Sequence, residues 1–312
     1  MSDAKKNWIW FVAILTLITG GGIFLVKSRR ADLGRNFAYP VEDYRHVDPA
    51  LIRYTEVDGL LPAIGKLSAL AIVPDGKIYV GGENAIEVFP DRTVHPVAGI
   101  PGCLAVDDDG TLFAGMQDHV EVFSKDWKSV VWPSPGEKAY LTSIAVDERS
   151  VYVADAGGRR VLRYNKSAGT PFEIGAKDET NGVRGFYIPS PFFDLDIGTD
   201  GSLWVVNPGY HVLENYSPDG RLISSWGEGS FRIEGFIGCC NPANFTLMPD
   251  GSFATAEKGV PRVKIYNLDG SLRCVVAAPD LFDDAILDVA ADAKGRVYIL
   301  NGNRVRIFEE KK

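Results

Sequence analysis

Two of the four cysteines are adjacent, in the segment Gly238-Cys239-Cys240-Asn241-Pro242. Neighbouring thiols at a tight turn can close a strained eight-membered disulfide. They can also offer thiolates to a metal, with Cys103 as a third ligand. The plainer alternative is two small, partly buried thiols. No Cys-x-x-Cys spacing occurs, which leaves zinc fingers and c-type haem attachment without support. Histidines number four, His46, His95, His119 and His211, too few for a histidine-rich catalytic zinc centre drawn from several places. Among the carboxylates, Glu83, Asp118, Asp155 and Glu257 fall in polar loops, where their oxygens would suit a hard cation such as Ca²⁺. Solvated carboxylates are the competing expectation, and Arg159 and Lys258 beside them suggest ion pairs. Phe186, Tyr187, Phe192 and Phe193 sit in an irregular prolyl stretch, with Tyr210 and His211 further on. Such aromatics could grip a partner or plug a gap in the core. No Ser-His-Asp ordering, phosphate loop or Gly-x-Ser-x-Gly is present, so hydrolase chemistry has no positive support.

These residues recur at equivalent places in a repeated unit. The unit is an apolar run, a turn, a second run, a polar loop and a third run. Its copies are Leu70 to Phe89, Leu104 to Phe123, Ile144 to Tyr164, Leu195 to Tyr216, Phe245 to Tyr266 and Val289 to Phe308. The runs are about five residues long and alternate β-branched or aromatic residues with small or polar ones, which is a strand period. Asp-Gly pairs at 75–76, 109–110, 200–201 and 250–251, and Lys294-Gly295, mark hairpin turns, whereas the third copy has Asp147-Glu148-Arg149-Ser150 instead. A period of roughly 34 to 53 residues with three or four strands per copy predicts blades around an axis. Six copies predict a six-bladed β-propeller over residues 52–309. The last copy lacks a fourth strand, and the run Ile52 to Val57 is the spare strand expected to pair there and close the ring.

The stretches IAVDERSVYVADAGGRRV (144–161) and NPANFTLMPDGSF with RVKIYNLDG (241–270) resemble NHL repeats. That resemblance implies a six-bladed propeller that binds a partner, often protein and sometimes RNA, with a few enzymatic relatives. It also brings in the calcium-dependent lactonase-like propellers as a comparison for the four loop carboxylates. The segment 167–191 reads as a long insert relative to that pattern. If the first strand of each copy lines the axis, the Asp-Gly turns share one end of the ring. The irregular loops carrying Glu83, Asp118, Asp155, Arg159, Tyr210, His211, Glu257 and Lys258 then share the other, where function is expected.

Residues 8–26 are nineteen uncharged, mostly apolar positions, enough for a helix to span a bilayer. They are expected to form a single transmembrane helix after a tail at 1–7 and before a linker at 27–51. The small residues Gly20 to Gly22 lack an Ala-x-Ala cleavage pattern, so the segment reads as retained. Cations flank it on both sides, Lys5 and Lys6 before and Lys27, Arg29, Arg30 and Arg35 after. A count alone favours an internal body, while the short N-terminal tail resembles a signal-anchor that exports it, and an extracytoplasmic, periplasmic propeller is the expectation. The chain carries a net charge of −8, of which residues 1–30 contribute +4 and the remainder −12. A body more acidic than the whole repels phosphate backbones, which argues against nucleic acid as a partner. The expected role is binding of a protein or small ligand. No cofactor is established beyond the metal ion raised above. A redox or metal-assisted function at Cys239 and Cys240, within a membrane electron-transfer assembly, is the alternative.

Overall fold

In β15 (Leu203–Asn207, sequence LWVVN) every residue is buried, yet neighbouring side chains belong to different cores. Leu203 and Val205 pack towards the preceding blade, Trp204 and Val206 towards the following one. A strand sandwiched between two sheets has no solvent face, so its period of two separates two apolar interfaces rather than inside from outside. This pattern repeats around a ring in the computed structural model, which describes residues 41–167 and 169–312.

The described strands form six four-stranded antiparallel sheets. Their inner strands are β2 (Ala69–Ile72), β6 (Cys103–Val106), β10 (Leu141–Val146), β14 (Leu195–Ile197), β18 (Asn244–Leu247) and β22 (Ile286–Ala291). Together they line one axial channel. The sixth sheet is completed by β1 (Tyr54–Leu60), which pairs with β24 (Arg304–Glu310) from Tyr54↔Glu310 to Leu60↔Val305. The closing strand therefore lies where the sequence placed it, running three residues further. Ile52 makes a parallel bridge to Val275, which also fastens the closing segment to the fifth blade.

The turns explain the Asp-Gly signal. Asp200 Oδ1 accepts from Ser202 N at 3.0 Å, Asp250 Oδ1 accepts from Ser252 N at 3.0 Å, and Gly201 and Gly251 adopt φ near +80°. In the third blade Asp147 Oδ1 accepts from both Arg149 N and Ser150 N at 2.7 Å. The aspartate closes that turn without a glycine. The supposed insert at 167–191 is a correction: β13 (Phe172–Ile174) is the ordinary outer strand of the third blade, pairing with Val161 to Arg163. Only the loop after it is extra.

The apolar segment 8–26, the tail and the first part of the linker lie outside the described residues. Among the described residues no helix is long and apolar enough to cross a membrane.

Candidate functional site

At the loop-bearing end of the ring, four second strands finish on a polar residue: Asp155, Asn207, Glu257 and Asn301. All four are buried, and each uses its side chain to hold the segment that enters its own blade. Asp155 Oδ1 accepts from Tyr140 N at 3.0 Å and Gly158 N at 2.9 Å. Asn207 accepts from Tyr187 N at 2.9 Å and donates to Gly185 O at 3.1 Å. Glu257 Oε1 accepts from Ile237 N at 2.9 Å, and Asn301 Nδ2 donates to Asp284 O at 2.8 Å and Ala285 O at 3.0 Å. Loop backbone that packs under a neighbouring turn loses water, and these side chains replace it.

The carboxylates that the sequence offered to a cation therefore have other partners. Asp155 is paired with Arg160 at 3.1 Å, not with Arg159, which is exposed at the turn with φ 55°. Glu257 is hydrogen-bonded to Arg262 and lies 3.4 Å from Lys264 Nζ, both fully enclosed. Lys264 also donates to Ile233 O at 3.0 Å and Gly235 O at 2.7 Å, fastening the loop before the fifth blade. Glu83 is exposed and paired with Lys66 at 2.7 Å, and Asp118 is exposed beside His119 Nδ1 at 2.8 Å. Among the described residues no three His, Cys, Asp or Glu side chains are placed to hold a metal ion.

Two buried glutamates escaped the sequence reading. Glu87 accepts from Ala63 N at 2.5 Å and from Arg92 at 3.1 Å. Glu214 accepts from Tyr216 Oη at 2.8 Å and Asn207 Nδ2 at 3.1 Å, and burial pushes its carboxyl above the usual range. Their signal was a glutamate in the middle of an otherwise apolar strand, AIEVF and VLENY.

The aromatics divide by role. Phe186 is in the core, 4.8 Å from Phe193 and 5.9 Å from Tyr216 between ring centroids. Tyr187 and Tyr210 are 49% and 40% exposed with centroids 5.8 Å apart. The Arg184 guanidinium lies 4.7 Å from the Tyr210 ring. Lys258 donates to Ser190 Oγ at 2.9 Å and sits 4.3 Å over the Phe192 ring, which lines the channel mouth. His211, at φ 59°, is 3.1 Å from Asn241 O through Nδ1, joining the fourth blade to the turn before the fifth. On that turn Cys239 is exposed and Cys240 buried, and all four cysteines are free thiols.

The channel itself holds about 430 Å³. Three aspartates face it, and each reaches into the following blade. Asp194 accepts from Phe245 N at 2.7 Å, Asp196 from Leu247 N at 2.8 Å and Asp288 from Leu70 N at 2.8 Å. Ser68, Thr142 and Asn244 bridge other neighbours by donating to Pro101 O, Phe193 O and Leu287 O. Enclosure by the ring lifts the carboxyl of Asp194 to about 7 and that of Asp288 to about 8. Cys103 packs between the second and third blades. Burial and the fields of Asp288 and Asp194 raise its thiol, which opposes the thiolate that a metal would need.

No family model and no curated protein matches the chain. Solved structures do. Virginiamycin B lyase from Staphylococcus aureus superposes with a TM-score of 0.60 at 11% identity, over 83% of this chain and 99% of that one. A gluconolactonase from Xanthomonas campestris gives 0.62 at 13% identity, over 85% and 94%. The WD40 β-propeller domain of Doa1 gives 0.56 at 13%, over 83% and 98%. Likeness at this identity establishes a shared propeller fold, while the chemistry of a site has to come from the site.

Proposed function

We propose that this chain is a membrane-anchored, NHL-type β-propeller whose loop-bearing end binds a protein or small ligand. The observation that carries the reading is the ledge of Arg184, Tyr187 and Tyr210 at the loop-bearing end, where two large aromatics stay exposed next to a cation. Tyrosine and arginine combine apolar area with directed hydrogen bonds, the composition of binding hot spots. The buried acids at this end hold backbone in place, and Arg184, itself 3.6 Å from Glu214, stands with two tyrosine rings that stay exposed. The anchor is residues 8–26, with the ring on the extracytoplasmic side. The paired substitution Tyr187→Ala/Tyr210→Ala should lower retention of a partner from solubilised membranes by about tenfold or more with the melting temperature unchanged. Equal retention would contradict the reading. A reporter fused after Lys312 should be active only outside the cytoplasm.

A second reading, redox function, is favoured by one observation: Cys239 is exposed at this same end, next to Cys240, and both are free. Thiol counting before and after reduction tests it, since an unchanged count and no bound metal would leave binding alone. The calcium-dependent lactonase-like reading has less support, because Glu83, Asp118, Asp155 and Glu257 belong to separate local networks.

A further inference from the structure

The opposite end of the ring, bearing the Asp-Gly turns, holds a larger cavity of about 980 Å³. It opens under the inner strands and continues into the crevice between the fourth and fifth blades. Asn215 lines it from the fourth blade. Trp204, its cross-strand partner, lines it from the same face of that blade. Asn215 is only 8% exposed, and its Oδ1 has no hydrogen-bond partner among the described residues. The other two such atoms, Trp226 Nε1 and Thr255 Oγ1, belong to the same interface. Trp226 packs 5.0 Å from Phe253 and Trp204 4.7 Å from it, and Thr255 shares the face of Phe253 at a spacing of two. Trp226 and Thr255 lie outside the cavity lining, but buried polar groups are ordinarily paired, and the unpaired Asn215 amide at the cavity wall points to a ligand.

The charge around the cavity gives the ligand's sign. Asp196, Asp200, Asp250 and Asp292 line it, and no lysine, arginine or histidine does. Arg273 and Arg296 answer Asp250 and Asp292 at 2.6 Å each from outside the lining. Asp196 and Asp200 have no ion-pair partner among the described residues; burial raises the carboxyl of Asp196, whose oxygens accept from Ile197 N and Leu247 N, which leaves Asp200 as the dependable anion. Asp200 is held below the usual carboxylate range by its bonds from Ser202, so its charge is present at neutral pH. The remaining wall mixes the hydroxyls of Thr199, Ser224 and Thr246 with apolar residues that include Trp204, Leu247 and Leu268.

We propose that this cavity binds a small organic cation, an ammonium group on an apolar body. Its N–H donors meet the Asn215 amide and the Asp196 and Asp200 carboxylates, and its body lies along Trp204 and Leu247. The site is at the other end of the ring from the aromatic ledge, so neither proposal depends on the other.

Benzylammonium is the probe, with benzyl alcohol and benzoate as neutral and anionic controls. Titrated into the full chain and followed by tryptophan fluorescence, benzylammonium should bind saturably below about 10 mM, at least about tenfold more tightly than either control. Asn215→Leu keeps the volume and removes the unpaired amide. It should raise the melting temperature and weaken benzylammonium by about tenfold. Should that variant misfold, Asp200→Asn, at an exposed turn, decides by weakening the probe at an unchanged melting temperature. The proposal is overturned by absence of saturable binding, by equal binding of benzyl alcohol, or by undiminished binding to the folded variants.

Discussion

Glu257 and Asp118 look alike in the sequence, each an acidic residue in or beside the polar loop that follows a strand. The structure separates them by what lies behind. Glu257 is 1% exposed, with two enclosed cations and a backbone N–H as partners, whereas Asp118 is exposed with one histidine beside it. Removing one member of a buried ionic cluster strands the others without water. Glu257→Ala should therefore cost about 3–5 kcal/mol in urea unfolding, and Asp118→Asn less than about 0.5 kcal/mol. Comparable effects would contradict these assignments. A usable signal was present. Asp155 and Arg160, and Glu257 and Arg262, stand five apart across a turn, and both pairs are cross-strand partners. That spacing marks an internal pair, but strand ends must be known to within a residue before it can be used. The neighbouring Arg159 and Lys258, which drew attention as partners by mere adjacency, stand in the turns themselves, where Arg159 is exposed and Lys258 reaches Ser190 instead.

The strands, the Asp-Gly turns and the clasp were legible because each is local: a period of two, a turn chemistry and a missing fourth strand. The links between blades were not. They join residues far apart in sequence, as in Asp288 to Leu70, and nothing near either one announces the other. Enclosure of the aspartates that make these links, which outweighs the opposing pull of the hydrogen bonds, makes the ring's stability depend on pH. The folded-state pKa values of Asp194 and Asp288 stand at about 7 and about 8, above the ordinary 3.8. The folded ring then holds protons that the unfolded chain releases. The stability this confers is present below the unfolded pKa and is lost as pH rises through about 7 to 8. The melting temperature should fall between pH 5 and pH 9 by more in the parent than in Asp194→Asn/Asp288→Asn. A slope unchanged by the pair of substitutions would assign the dependence to other groups. The misread segment 167–191 shows the converse difficulty. A three-residue outer strand such as FEI has too few positions to display a period, so it merged with the loop that follows.

Seen as one body, the propeller has two unlike ends. One carries repeated turns around an acidic cavity. The other carries irregular loops whose strand-end acids and amides are turned inward and on which Tyr187 and Tyr210 stay exposed. Under the anchored binding role proposed above, the loop-bearing end is the one offered to whatever approaches. Site-specific photo-crosslinking in intact membranes tests it most directly, with the reactive group placed in turn at Tyr187, at Tyr210 and at Ile223, a 55% exposed residue of an outer strand. Discrete adducts from the first two positions and none from Ile223 are the predicted result. Adducts of equal yield from all three, or from Ile223 alone, would contradict a binding face at the loop-bearing end.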